Sequence, residues 1–289
     1  MSRSGPAALG LPRPGDNDRV TGPVFRRDLY QGTAGYYDRF RLPYPRALTE
    51  DLAHRSGADG AGRLLDLACG TGQVCFALHA RFAEVWAVDQ EPEMVAVVRD
   101  KARAAGLPHI RALAASAADL SAPSASFDLV TIGNAFHRLP RDAVAARALG
   151  WLRPGGSLAL IWGRSPWDGQ QPWQRALART MDRWRALAGA RDRVPAGYEQ
   201  DRGERPDPVI LAAAGFEIAG RYRFLAVHEW TPEALAGFMM STSVLSPAAL
   251  GGMVADFGDD LRRELYAFTA SGRLPQTIDY AYDLARRPG

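Results

Sequence analysis

Residues 63–72, Arg63-Leu64-Leu65-Asp66-Leu67-Ala68-Cys69-Gly70-Thr71-Gly72, run from an apolar strand into an acidic, glycine-rich turn, and a helix is expected directly after it. Gly70 and Gly72 have no Cβ, so the backbone there is free to turn sharply and lie close against a ligand. Such a ligand would sit at the carboxyl end of a central strand, where open α/β sheets bind their ligands. Asp89 ends the next apolar run, Glu84-Val85-Trp86-Ala87-Val88, and puts a second carboxylate beside the same turn. One carboxylate at each strand end suits a ligand with an ammonium group and a ribose diol.

Working outward, apolar runs and helical stretches alternate. Strands are expected at 63–68, 84–89, 109–114, 127–132 and 157–162, and helices from 72, over 92–105 and over 140–151. Pro92 and Pro140 stand where proline suits a first helical turn. Gly106 and Pro154-Gly155-Gly156 mark where two helices stop. Upstream, 28–40 and 46–54 read as helices covering the sheet. Strands separated by helices predict an α/β fold, with a doubly wound, parallel sheet covered on both faces.

Beyond residue 164 the pattern changes. Trp173, Leu177, Met181, Trp184 and Leu187 fall at helical spacing. Leu250, Val254, Phe257, Leu261, Leu265 and Phe268 do the same within a second helical insert over 232–270, which Gly251, Gly252 and Gly258 are expected to break. A helix at 208–214 and strands over 216–224 and 278–284 return to the core. The expected division is a disordered tail at 1–24, a core with N-terminal helices at 25–165, a helical cap at 166–206, and the end of the core sheet at 207–289. The simplest reading of the Trp173–Trp184 stripe, and of Phe238-Met239-Met240, is packing of helices onto the core.

These motifs resemble those of the class I S-adenosylmethionine-dependent methyltransferases, in their small-molecule, natural-product branch. Asp66-Leu-Ala-Cys-Gly-Thr-Gly is similar to the first motif of that family, and Tyr37-Asp-Arg-Phe-Arg41-Leu-Pro-Tyr-Pro45 to an upstream segment. Ser126-Phe127-Asp128-Leu129-Val130 resembles the fourth strand, while Asn134-Ala135-Phe136-His137 and Leu152-Arg153-Pro154-Gly155-Gly156 resemble the segments around the following helix. The resemblance implies a Rossmann-like, seven-stranded, mostly parallel sheet whose last strand is antiparallel beside the fifth. A nicotinamide or flavin site is the rival for the glycine turn, but it calls for a third glycine where this chain has Cys75.

The resemblance also assigns roles. Asp66 would hold the methionyl ammonium of S-adenosyl-L-methionine, directly or through water. Ala68, Gly70 and Gly72 would give backbone room, and Asp89 would accept both ribose hydroxyls. Gln90 and Met94 would lie at the adenine edge, where relatives carry Asp-Ala and this chain has Ser116-Ala117. Either Ser116 or Asp119 would take the adenine amino group. Tyr37 and Arg41 would close over the cofactor carboxylate, and Asn134 would border the cofactor. His137 stands just past the fourth strand, with the reference pKa of a general base near ~6.5. Tying the loop to the backbone is the equal alternative for it.

Composition narrows the remaining readings. Apolar residues make up 47% of the 289-residue chain and charged residues 23%, as in ordinary globular proteins. No apolar run approaches the ~18 residues of a membrane span, and the first 24 residues lack the apolar stretch of a secretory signal. Two cysteines, Cys69 and Cys75, lie in or beside the glycine turn, which favours a reduced, cytoplasmic protein. The net charge of +3 is spread arginine among acids, with Lys101 the only lysine. This gives no phosphate-binding stripe, so a nucleic-acid partner is not expected and RNA methylation stays a minor reading. The five histidines are scattered, and no metal-ligand set emerges.

The acceptor expected first is an amine of a small molecule, an amino sugar or aminoglycoside of antibiotic biosynthesis. Its motivation is the acids of the cap: Asp168, Glu199, Asp201, Glu204, Asp207 and Glu229. Pairing of these acids with Arg191, Arg193, Arg202 and Arg205 is the competing reading. O-methylation of a polyketide, phenol or sugar hydroxyl received by Phe136, Trp162 and Trp167 is the main enzymatic alternative. A non-catalytic, cofactor-binding partner protein is the reading from outside enzymology.

Overall fold

The computed structural model describes residue 23 and residues 25–289, with the side chains of 191 and 192 excepted. The tail expected at 1–24 therefore lies, but for Pro23, outside the described residues. Two helices lead in, α1 (Ala34–Phe40) and α2 (Arg46–Arg55). They are followed by β1 (Arg63–Leu67), α3 (Gln73–Leu78), β2 (Glu84–Asp89), α4 (Pro92–Ala104), β3 (Ile110–Ala114) and β4 (Phe127–Gly133). Next come α5 (Arg141–Trp151) and β5 (Leu152–Gly163). The later part holds α6 (Pro172–Leu187), α7 (Tyr198–Glu204), α8 (Asp207–Ala213), β6 (Glu217–Trp230), α9 (Pro232–Met240), α10 (Pro247–Leu250), α11 (Val254–Tyr266) and β7 (Leu274–Arg286).

The seven strands form one sheet in the order β3-β2-β1-β4-β5-β7-β6. β1 to β5 run parallel, with Leu65 opposite both Trp86 and Val130. β7 lies antiparallel between β5 and β6. The α/β, Rossmann-like arrangement expected from the motifs is thus the one adopted, antiparallel last strand included. Leu64, Leu65 and Leu67 are fully buried, because a strand at the centre of a doubly covered sheet turns apolar residues to both faces. One face packs on α2, α3 and α4 through Leu48, Leu52, Val74, Leu78 and Val98. The other packs on α5 and α8 through Val144, Ala148, Ile210 and Leu211.

A third apolar cluster lies apart from both faces. Trp173, Leu177 and Trp184 of α6 meet Leu235, Phe238 and Met239 of α9 and Phe257, Leu261 and Leu265 of α11. Both apolar stripes are therefore helix packing, with Leu187 and Phe268 left exposed at their ends. Gly251, at φ +55°, breaks the second insert between α10 and α11, whereas Gly258, also expected to break it, sits buried within the continuous helix α11.

Several boundaries differ from expectation for identifiable reasons. The first helix begins at Ala34 rather than 28, because Gly32 takes φ +74° and the chain turns through a Thr33 N–H to Tyr30 C=O bond of 3.0 Å. β6 runs on to Trp230 and β7 starts at Leu274, since their far ends pair with each other beyond β5. The polar stretch around 198 forms the short helix α7.

Candidate active site

The turn after β1 is held in an uncommon conformation. Ala68, Gly70 and Gly72 take φ values of 50°, 56° and 92°, the left-handed region in which a side chain is strained. A Cβ on Gly70 would stand 3.0 Å from the Tyr37 ring, and one on Gly72 2.6 Å from Phe76. Lys101 pins the turn, its Nζ donating to the Thr71 carbonyl at 3.0 Å and to Asp38 at 2.7 Å. Asp89 closes it from β2: Oδ2 accepts the Gly70 N–H at 2.8 Å and Oδ1 the Glu91 N–H at 2.9 Å. Burial raises the Asp89 carboxyl against those backbone bonds.

Asp66, on β1, is 1% exposed. Its Oδ1 accepts from the Thr131 hydroxyl at 2.7 Å and its Oδ2 from the Cys75 N–H at 3.1 Å. Desolvation outweighs these bonds and pushes the carboxyl up to about 7. A group in this state is ready for a cation. The two cysteine thiols, both free and buried, are pushed well up by the same burial, so neither is a reactive thiolate.

A cavity of about 690 Å³ opens beside this turn. Tyr37, Arg41, Asp66, Ala68, Asn134, His137, Trp162, Trp167 and Asp168 all line it. Asn134, at φ +51°, bridges Tyr44 and the Gly163 N–H through its amide. Arg41 donates through Nε to Ser241 Oγ at 2.8 Å and lies between the rings of Tyr37 and Phe238. Gln90 and Ser116 line a second cavity of about 500 Å³ at the ends of β2 and β3. Asp119 lines it too and accepts the Ser116 hydroxyl at 2.8 Å, so both candidates for the adenine amino group share one place.

Six expected residues line neither cavity: Gly70, Gly72 and Asp89 are buried in or beside the turn itself, and Met94, Ala117 and Phe136 lie in the core. Met94 and Ala117 are buried at 2% and 6% exposure and line neither cavity. Phe136 packs among Val144, Ala148 and Leu160 in the core. The single helical turn at 136–138 sends Phe136 inward and leaves His137 and Arg138 toward the cavity.

His137 is not free to take a proton. Its Nε2 accepts from Arg138 Nε at 3.1 Å, which places its one ring proton on Nδ1. Burial, reinforced by the charges of Arg138, Arg202 and Arg141, lowers its pKa to about 3. Arg138 is itself held by Ser243 Oγ at 2.6 Å and stands over the rings of Phe25 and Tyr30.

The rest of the lining was not expected from the sequence. Tyr44, Met181, Trp230, Phe238 and Tyr280 supply aromatic and apolar wall, and Arg138, Arg164, Arg185 and Arg202 supply charge. They come from strand ends and helices distant in sequence. Only the over-long alternation of β6 and β7 signalled that Trp230 and Tyr280 would reach the cavity.

Known proteins resemble this chain in sequence and fold. Residues 64–156 match a family described as a methyltransferase domain. The chain is 31% identical over 228 residues to an uncharacterized methyltransferase of Mycobacterium tuberculosis, covering 77% of this chain and 82% of that one. It is 29% identical over 288 residues to nocamycin O-methyltransferase of Saccharothrix syringae, covering 89% and 97%. Among solved structures, a putative type II methyltransferase from Anaeromyxobacter dehalogenans superposes with a TM-score of 0.56 at 23% identity, over 86% of this chain and 97% of that one. This last likeness speaks for the fold. The motif order, the carboxylates at two neighbouring strand ends and these relatives agree: the chain belongs to the class I S-adenosylmethionine-dependent methyltransferases.

Proposed function

We propose that this methyltransferase acts on an oxygen of a small molecule with a largely apolar body. The observation that carries the reading is the charge of the main cavity, where Arg41, Arg138, Arg164, Arg185 and Arg202 face only Asp66, Asp168 and Glu199. An ammonium acceptor would be repelled there, whereas an acidic hydroxyl would be favoured as its oxyanion. Three of the six acids behind the amino-sugar reading are held elsewhere. Asp201 and Asp207 accept from Arg141 at 2.7 and 2.8 Å, and Glu204 accepts from Gln200. The nearly full-length likeness to nocamycin O-methyltransferase supports an oxygen acceptor and a place in specialised metabolism.

S-adenosylmethionine, when bound, supplies a methyl group already activated on a sulfonium sulfur. Asp66 would hold its ammonium, Asp89 its ribose hydroxyls, and Ser116 or Asp119 the adenine amino group. Tyr37 and Arg41 would close over its carboxylate. These residues would fix the methyl donor against the cavity, and alignment of this kind contributes up to ~7–11 kcal/mol in favourable intramolecular reactions. His137, with its basic nitrogen occupied by Arg138, would position the acceptor rather than remove its proton. An acceptor that ionises unaided needs no stronger base.

The test is incubation of the purified enzyme with S-adenosylmethionine and two panels, phenols and enols in one and amino sugars in the other, read by mass spectrometry. Methyl gain on oxygen in the first panel is the expected result. Methyl gain confined to amines of the second would overturn the reading.

A further inference from the structure

Arg185 carries a weakly compensated, partly buried charge at the wall of the main cavity. It sits on α6, one turn after Met181, and both residues line the cavity. Its Nε is buried without a hydrogen-bond partner. Its ion partner, Asp182, is 3.6 Å away and 72% exposed, and a water-screened pair of that kind contributes little. The side chain is 27% exposed, and a guanidinium partly drawn from water with an unpaired Nε favours an anion brought in beside it.

The neighbouring cations are arranged to deliver one. Arg202, exposed on α7, donates only to the neutral hydroxyl of Tyr198, at 3.3 Å. Arg164, exposed just past β5, makes no side-chain hydrogen bond among the described residues. Asp168, whose carboxyl feels its charge, already accepts the Ser165 N–H at 3.3 Å. Exposed cations around a cleft attract a charged ligand from solution, while Arg185 stands inside, against the wall formed by Trp167, Met181 and Trp230.

We propose that the methyl acceptor is an organic anion, a flat unsaturated or aromatic body bearing a carboxylate, and that Arg185 anchors that carboxylate. Arg164 and Arg202 steer it inward, and the body lies along the tryptophan and phenylalanine wall. This assignment rests on the small-molecule reading above and names the class of its substrate. The methylated oxygen is a different group from the anchored carboxylate, which stays ionised through the reaction.

The full-length protein, saturated with S-adenosylhomocysteine, is titrated with pyrenebutyrate and with its neutral amide, following quenching of tryptophan emission. The acid is expected to bind about tenfold more tightly than the amide, the size of one charge-assisted hydrogen bond. Arg185→Gln is expected to erase that preference with S-adenosylhomocysteine affinity unchanged, and Arg185→Lys to retain part of it. Equal binding of acid and amide by the wild type overturns the proposal, as does binding of neither, or a preference that survives Arg185→Gln. Loss of S-adenosylhomocysteine binding in the wild type would instead strike the cofactor assignment, so the two failures are separable.

Discussion

Asp66 carries a proton-linked consequence of its burial. Its carboxyl is raised from 3.8 to about 7 in the fold. The sign follows from linkage: what stability this group lends is complete in acid and is lost as pH rises through about 7. An ammonium placed beside it favours the ionised form and expels the proton. Affinity for S-adenosylhomocysteine is therefore expected to rise about tenfold per pH unit over roughly pH 5 to 7 and then level. Calorimetry in buffers of different ionisation enthalpy measures the released proton, and Asp66→Asn should abolish both the release and the slope. A flat profile in the wild type would contradict this role. His137 gives the opposite kind of expectation. With its pKa lowered to about 3, it is neutral throughout the working range and contributes no ionisation to the rate profile. His137→Gln should lower kcat by less than tenfold, whereas loss of a general base costs about 10²–10⁴-fold. A larger fall, together with disappearance of a rate-controlling ionisation near neutrality, would restore the base assignment.

At the scale of elements, one side chain, Arg141, ties both α7 and α8 to α5, alongside the Arg205–Asp142 pair. Arg141, 6% exposed, donates to Asp201 at 2.7 Å, to Asp207 at 2.8 Å and to the Arg205 carbonyl at 2.8 Å. Arg141→Ala leaves two partly buried carboxylates without their cation and should cost about 3 kcal/mol, seen as a lowered Tm in thermal denaturation. α7 also carries Tyr198, whose ring stands 6.0 Å from that of His137, so kcat/KM should fall with stability. An unchanged Tm would show that water replaces the arginine. This clamp explains why α7 was not legible in the sequence. Its stretch has no apolar period, and contacts with residues some 60 positions away help to hold it in place. The central strands and α4 were legible, because burial on both faces and proline at a first helical turn are local signals. Asp66 and Asp89 were legible for the same reason, each being an acid at the end of an apolar run. The arginines of the cavity were not, since one arginine among many carries no sign of which cavity it will face. Phe136 was misplaced because a single helical turn decides between cavity and core, and neighbouring residues in it point opposite ways.

Across the whole molecule, the cofactor half and the helices over the cavity are joined by the two longest strands. β6 begins in the sheet and ends inside the third apolar cluster, and β7 runs back from that cluster into the sheet; Trp230 and Leu274, their ends there, are each 1% exposed. Trp230 also donates through Nε1 to Gln276 at 2.7 Å, a bond between the two strands. α1 meets α9 through Arg41 and Ser241 at 2.8 Å, a second tie across the same gap. Helices hung on the sheet in this way are not an independent lobe, and the protein should melt in one cooperative transition. Trp230→Ala removes an indole from the centre of the cluster and should destabilise by about 3–5 kcal/mol. Since the strands are shared, near-ultraviolet dichroism and S-adenosylhomocysteine-dependent protection should be lost together at the lowered Tm. Two separated calorimetric transitions, with cofactor-site protection surviving the first, would instead make the helical part a unit that unfolds alone. In that case closure over the acceptor would be a folding event of the cap, and the strands would serve only as its tether.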